Sequence, residues 1–264
     1  MRFTCDGLVL RESEYGENDK LIVVLTAEYG LITIVAKGAR SMRSKTMPLC
    51  HRFTFSNLEY YKKNDRRWLS GGSINESFFG ISGDLEGFAL ASYIAQLAEE
   101  ISGEGVPAHD VLRMTLNTLY AIQKKIKPLS VIKSAYEIFA ANESGFAPDI
   151  SECCDCGGQS EDGQWWLDVM NGRIVCAKCL SARGQGAVAQ PTDRLMTANV
   201  FLPMDALCLA AWRYVSSATP KRILAFDVPS EESLMRLSNA TEGYILNHLE
   251  RGFDTLDFYH NVKE

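Results

Sequence analysis

At 264 residues the chain can bury one large core or two to three small ones, so it needs no crosslinks to fold. Hydrophobic residues make up 46% and charged residues 23%, ordinary values for a globular protein, and no apolar run approaches the roughly 18 residues of a membrane span. Net charge is −6, which alone argues against a polyanion ligand, yet the charge is divided: residues 1–80 hold 12 Lys+Arg against 9 Asp+Glu, the remainder 15 against 24. The opening residues carry no apolar stretch of a secretory signal, so a cytoplasmic protein with no membrane partner is expected.

The first 80 residues read as five short strands separated by turn signals, at Leu8–Leu10, Lys20–Thr26, Leu31–Ala36, Phe53–Tyr61 and Trp68 to about Phe79. Five strands with a long connector at 37–52 after the third predict a Greek-key barrel of OB type. From Asp84 the period becomes helical. Apolar spacing predicts helices over 84–101, 111–122 and 130–139, with Asp84 as a cap and Pro107 and Pro128 as punctuation. Residues 182–189 read as a Gly- and Ala-rich linker, and helical patterns resume at Asp205–Tyr214 and Glu231–Leu249. The expected fold is α+β and multidomain. A barrel at 1–80 precedes a helical domain at 81–150 and 182–264, into which residues 151–181 are inserted.

That insertion carries the strongest motif. Five of eight cysteines fall between Cys153 and Cys179, and in a reducing compartment such crowding reads as metal rather than disulfide. Cys153-x2-Cys156 and Cys176-x2-Cys179, 19 residues apart, match a four-thiolate zinc site. Between them lie two strand-like runs around Asn171-Gly172, so a zinc ribbon is predicted. Four thiolates close the tetrahedron, making the zinc structural. Cys154 could replace Cys153 only by shortening the first bite. Cys5, Cys50 and Cys208 read as buried small hydrophobes.

Two basic clusters lie in barrel loops. Lys37, Arg40, Arg43, Lys45 and Arg52 occupy a stretch with no acidic residue from Gly30 through Leu58, hence with no counter-ion of their own. Lys62, Lys63, Arg66 and Arg67 surround Asp65. Phe53, Phe55, Tyr60, Tyr61 and Trp68 interleave with these charges, as single-strand binding requires, since cations hold phosphates while flat rings stack bases. Alternation sends Phe53, Phe55 and Tyr61 to one side and Tyr60 to the other, so one set must be barrel core. The loop at Glu12–Asp19 is acidic, and a phosphate path is expected to avoid it. Lys124, Lys125, Lys127 and Lys133, beside Ile122, Ile126 and Leu129, suit an acidic, apolar peptide tail or else form a solvated helix end. No Walker loop, dinucleotide fingerprint, serine elbow or zincin motif is present, and the expectation is a binding protein without enzymatic activity.

The opening Gly7-Leu8-Val9-Leu10-Arg11, the turn Tyr15-Gly16-Glu17-Asn18-Asp19, Thr26 with Gly30, and Lys37-Gly38-Ala39-Arg40 leading to Pro48 together resemble the bacterial RecO family. Gly145-Phe146-Ala147-Pro148-Asp149 running into the first cysteine pair, and Gly172 before the second, extend the likeness to about residue 180. The resemblance implies an OB domain, a helical domain and a zinc ribbon. It further implies a DNA repair and recombination mediator that binds single- and double-stranded DNA and anneals complementary strands. Such a protein contacts the acidic tail of single-strand-binding protein and works with RecR to load RecA onto covered gaps, which places it in the cytoplasm at the nucleoid. Lys37 and Arg40 map onto the family's basic motif. The rival reading of the same residues is a zinc-ribbon transcription or RNA-associated factor.

Overall fold

The computed structural model describes residues 2–158, 163–183, 187–188 and 200–263. Five strands form a closed barrel in the order β1-β2-β3-β5-β4: β1 (Arg2–Tyr15), β2 (Asp19–Thr26), β3 (Gly30–Ala36), β4 (Thr54–Lys63) and β5 (Arg66–Ser77). All neighbours are antiparallel except β3 and β5, which close the barrel in parallel through Ile34↔Arg67 and Val35↔Trp68. The parallel closure and the 37–52 connector, with its 3-10 turn at Met47–Cys50, give the OB arrangement.

β1 is far longer than its apolar triplet suggests. Its first half pairs with β4 and its second with β2, and a register shift between Val9 and Arg11 lets one bent strand serve both. Before the triplet β1 alternates polar and apolar residues, and after it Arg11-Glu12-Ser13-Glu14 is polar throughout, with none of the four buried. Val9, Ile22, Val24, Ile32, Ile34, Leu58 and Leu69 fill the barrel. Gly30 has φ 61°, and a Cβ there would lie 2.1 Å from the Gly103 carbonyl oxygen, so this tight approach excludes any side chain.

Contacts divide the chain into two compact units. Met1–Lys125 with Thr255–Glu264 form one, and Ile126–Asp254 the other. In the first, the barrel is joined by α1 (Leu85–Glu100), α2 (His109–Gln123) and most of α7 (Asp254–Lys263). Asp84 caps α1 by accepting from the Gly87 N–H at 3.3 Å.

In the second unit, α3 (Leu129–Glu143), α5 (Ala206–Ser217) and α6 (Glu231–His248) pack together beside a sheet ordered β6-β8-β7-β10-β9. Its strands are β6 (Asp149–Cys153), β7 (Gln164–Asp168), β8 (Arg173–Cys176), β9 (Ala187–Val188) and β10 (Val200–Asp205), with the short α4 (Ala177–Ala182) after β8. The expected hairpin is β7–β8, but the ribbon is part of a larger sheet, because β10 pairs along all of β7 and brings Phe201, Leu202 and Met204 into the core. Of the linker expected at 182–189, residues 184–186 and 189 lie outside the described residues, while 187 and 188 pair with β10. No helix among the described residues is long and apolar enough to cross a membrane.

Candidate nucleic-acid interface and metal centre

The first site is built on the barrel. β4 turns into β5 through Asn64 (φ 49°) and Asp65 (φ 56°), a two-residue turn of the type that matches strand twist. The tight register sets Lys62 opposite Arg67 and Lys63 opposite Arg66, two successive pairs of like charge. Each such pair is destabilising on its own account. Arg67 has Glu104 at 3.0 Å, Arg66 Nη1 donates to Tyr15 Oη at 2.6 Å, and Lys62 lies over the Phe3 ring at 5.4 Å. Lys63 has no ion pair among the described residues.

The connector carries the second cluster and is tied down at its base. The Gly38 N–H donates to Asp19 Oδ1 at 2.8 Å, the Arg40 N–H to the Asn18 carbonyl at 3.1 Å, and Ala39, Leu49 and Cys50 are buried. Here the structure corrects the expectation of a basic loop without counter-ions. Arg40 lies 3.0 Å from Glu14 and donates to the Glu17 carbonyl, while at Arg52 it is the backbone N–H, not the guanidinium, that reaches Glu12. The acidic turn at 12–19 packs against the connector, a juxtaposition that sequence separation concealed. Lys37, Arg43 and Lys45 are exposed with no ion pair among the described residues, and the Arg52 side chain is half-buried.

The aromatics divide as the strand pleat dictates. Tyr60 is core, stacked on Phe3 with centroids 5.5 Å apart, while Tyr61 is exposed. Phe55 is half-buried. Phe53 departs from simple alternation. It precedes β4 at φ 65° and is buried edge-on against Phe88 of α1, so it serves packing. Tyr61 and Trp68 face each other across β4–β5, and Arg2 stands opposite Tyr61 on β1. Sequence reasoning missed Arg2, because only the long-range β1–β4 register brings it to the hairpin.

Of the lysines grouped near the second and third helices, Lys133 does not belong to the expected surface patch. Lys124 lies over Tyr120 at 5.9 Å and Lys125 pairs with Asp84 at 2.7 Å, both in the first unit. In the second unit Lys127 pairs with Asp227. Lys133 is 1% exposed and held between Glu137 at 3.0 Å and Glu242 at 2.7 Å. At helical spacing Lys133 falls on the buried face of α3, where no surface partner reaches it.

The metal-type cluster is in the second unit. The Sγ atoms of Cys153, Cys156, Cys176 and Cys179 all lie within 4.8 Å of one another, with Cys156 and Cys176 at 3.9 Å. A tetrahedral zinc with bonds of about 2.3 Å requires sulfur–sulfur edges of about 3.8 Å, so the four could hold such an ion. Burial works against the Cys153 thiolate, but backbone N–H groups of Cys176, Cys156 and Asp155 outweigh it and bring the thiol down to about 6. Hydrogen bonds that the Cys179 thiol donates to the sulfurs of Cys176 and Cys156 push its pKa the other way. A cluster that favours one thiolate and resists the next is one that a divalent cation would stabilise. Cys154 points elsewhere, its Sγ 3.5 Å from Arg183, which in turn holds Asp155 at 2.7 Å. Cys5, Cys50 and Cys208 are buried, and burial pushes the Cys5 and Cys50 thiols up to about 11 and about 12.

Two family profiles match the chain: Recombination protein O N terminal over residues 1–78, and Recombination protein O C terminal over residues 82–197. The chain is 27% identical to DNA repair protein RecO of Acetivibrio thermocellus over 96% of its own length and 94% of that relative. Its identity to DNA repair protein RecO of Bacillus subtilis is 25%, over 83% and 86%. With the protein of the same name from Anaeromyxobacter sp. (strain K) it shares 30%, over 67% and 70%.

Proposed function

Since the chain belongs to the RecO family of DNA repair and recombination proteins, we propose that it is a recombination mediator acting by binding alone, without an enzymatic step. The observation that carries this reading is the opposition of Lys62 to Arg67 and Lys63 to Arg66 at the hairpin tip. Folding sets like charges opposite one another there with Glu104 as the one acidic partner, and a polyanion offsets the remaining positive charge. Lys62 and Lys63, with Lys37, Arg43 and Lys45 on the connector, hold the phosphates of single- or double-stranded DNA. Arg40 contributes once Glu14 is displaced, Arg52 adds a half-buried side chain, and Tyr61 and Trp68 stack unpaired bases. Cations shared between two strands lower their mutual repulsion, which is what annealing needs.

The remaining assignments belong to the same proposal. Residues 1–80 act as the nucleic-acid module, 81–150 and 182–264 as helical parts, and 151–181 as the ribbon. Cys153, Cys156, Cys176 and Cys179 hold a structural zinc, which supplies folding energy and no reaction chemistry. Exposed Lys124 and Lys125 beside Tyr120 (49% exposed) fit the acidic, apolar tail of single-strand-binding protein. With RecR, the chain loads RecA onto gaps covered by that protein, in the cytoplasm at the nucleoid.

Single-stranded DNA binding against salt tests this. Five exposed cations of the connector and hairpin that have no ion pair among the described residues, Lys37, Arg43, Lys45, Lys62 and Lys63, predict a log–log slope of about −3.5. A flat response removes the electrostatic reading, and a preference for RNA without strand annealing replaces it with an RNA-associated factor.

A further inference from the structure

A cavity of about 350 Å³ opens on the outside of the barrel beside the β4–β5 hairpin, within the size range of small-molecule sites. It exists because β3 and β5 register at only two positions, so the seam beside Thr33 is left open. Leu21 and Val35, partners across β2–β3, make an apolar floor. The walls are charged and fixed. Arg66 is held by Tyr15, and Arg67 Nη2 is held by Glu104 Oε1 while its Nε is buried without a partner. Asp65 completes the lining, exposed at the turn with no ion pair among the described residues.

Two guanidiniums thus face two carboxylates. A phosphate entering this cavity loses to Asp65 and Glu104 what it gains from the arginines, whereas a neutral ring with both donors and acceptors gains from each. Among the bases, guanine offers the acceptor pair O6 and N7, which an arginine fork matches. It also offers the donor pair N1–H and N2–H, which the two oxygens of a carboxylate match. We infer that this cavity takes an unpaired guanine, with Arg66 or Arg67 on O6 and N7 and Asp65 or Glu104 on N1–H and N2–H. The inference rests on the nucleic-acid reading of the hairpin and adds a base preference to it. In a duplex the N1–H and N2–H edge is already bonded to cytosine, so only single strands qualify, and a guanine seated here is withheld from pairing. The source is a strand whose phosphates lie on Lys62 and Lys63 outside the cavity, not a free nucleotide.

The test uses the full chain and fluorescence anisotropy. A thymidine oligomer carrying one guanine is compared with the same oligomer carrying inosine, which lacks the N2 amino group, or adenine. Guanine should bind about five-fold or more tighter than adenine, with inosine between them. Asp65→Asn, which keeps a residue tolerant of the positive φ, and Glu104→Gln should each narrow the guanine advantage. The plain thymidine oligomer should bind both variants no more weakly than it binds the unaltered chain. Equal affinity for guanine and adenine, or a preference that survives both substitutions together, overturns the inference while leaving the nucleic-acid reading intact. Failure of every oligomer to bind instead sinks that reading. Free guanosine then decides the cavity by itself: it should move the backbone amide resonances of Leu21, Thr33 and Val35, and no movement rejects the site.

Discussion

Arg40 Nη2 lies 3.0 Å from Glu14 Oε1, so the most basic loop of the barrel and its most acidic turn are in contact. Both side chains are substantially exposed, and such a pair contributes about 0.2–1 kcal/mol. A phosphate must displace Glu14 to use Arg40, whereas Arg43 is available at once. Arg43→Ala should therefore weaken DNA binding more than Arg40→Ala does. Glu14→Gln should strengthen binding by about two- to five-fold and steepen the salt slope by about 0.7. In the Glu14→Gln background the two arginine substitutions should cost the same. Equal costs in the presence of Glu14, measured by titration at two salt concentrations, would show that the pair does not compete with DNA.

The four-thiolate cluster leads to a paired prediction. Cys176→Ser removes one of the four clustered sulfurs, 3.9 Å from that of Cys156, while keeping the backbone N–H that supports Cys153, so it should abolish metal binding. Cys154→Ser removes a thiol outside the cluster and should leave one metal per chain. Structural zinc sites contribute about 10–16 kcal/mol of apparent folding energy, so Cys176→Ser or a strong chelator should erase the cooperative melting of the second unit. Metal analysis beside thermal denaturation separates the two variants. Metal retained in Cys176→Ser would refute the assignment.

Local constraints were legible in the sequence, and long-range ones were not. Spacing alone singled out the four cysteines that the fold brings together, because a two-residue bite is a local constraint, and Asp84 announced its helix for the same reason. β10 was missed because Val200–Asp205 holds a proline and shows no alternation, since β10 is largely buried where it pairs with β7. The contact of Arg40 with Glu14, the arrival of Arg2 beside Tyr61 and the place of Glu104 at the cavity all depend on long-range register, which no window of sequence contains. Lys133 misled for a different reason. Charge predicts exposure only until two carboxylates, here one a turn away on α3 and one on α6, can meet it inside.

Those carboxylates make Lys133 a stability determinant of the second unit. Burial opposes its charge, but Glu137 and Glu242 more than compensate and raise its pKa, while burial raises that of Glu137. Lys133→Met leaves two acids facing each other without a cation and should destabilise the fold by about 3–5 kcal/mol. Glu137 in the variant keeps a raised pKa, so its folded form binds a proton that the unfolded form has released. The deficit of Lys133→Met should therefore shrink as pH falls from 7 toward 5. Replacing all three groups together by apolar residues and glutamine should recover most of the loss. Urea denaturation at the two pH values checks both statements, and a deficit that grows on acidification would exclude them.

Asp205 supplies the opposite sign. It caps α5 by accepting from the Cys208 N–H at 3.0 Å, and it accepts from the Ser233 hydroxyl of α6 at 2.7 Å, so one carboxylate joins two helices. Burial pushes its carboxyl up, but these two donors prevail and hold it below the usual aspartate value. A depressed carboxylate contributes stability that is complete above the unfolded pKa of about 3.9 and is lost as pH falls through the lower folded value. Asp205→Ala should cost about 1 kcal/mol at neutral pH, the worth of an N-cap. The gap from the unaltered chain should stay constant down to about pH 5 and close below about pH 3.9. Ser233→Ala should reproduce part of the loss and part of this dependence, because it removes one of the two donors that set the pKa. Denaturation midpoints of the three proteins across that range decide the matter, and a gap that persists unchanged into acid would mean that the carboxylate's charge contributes nothing there.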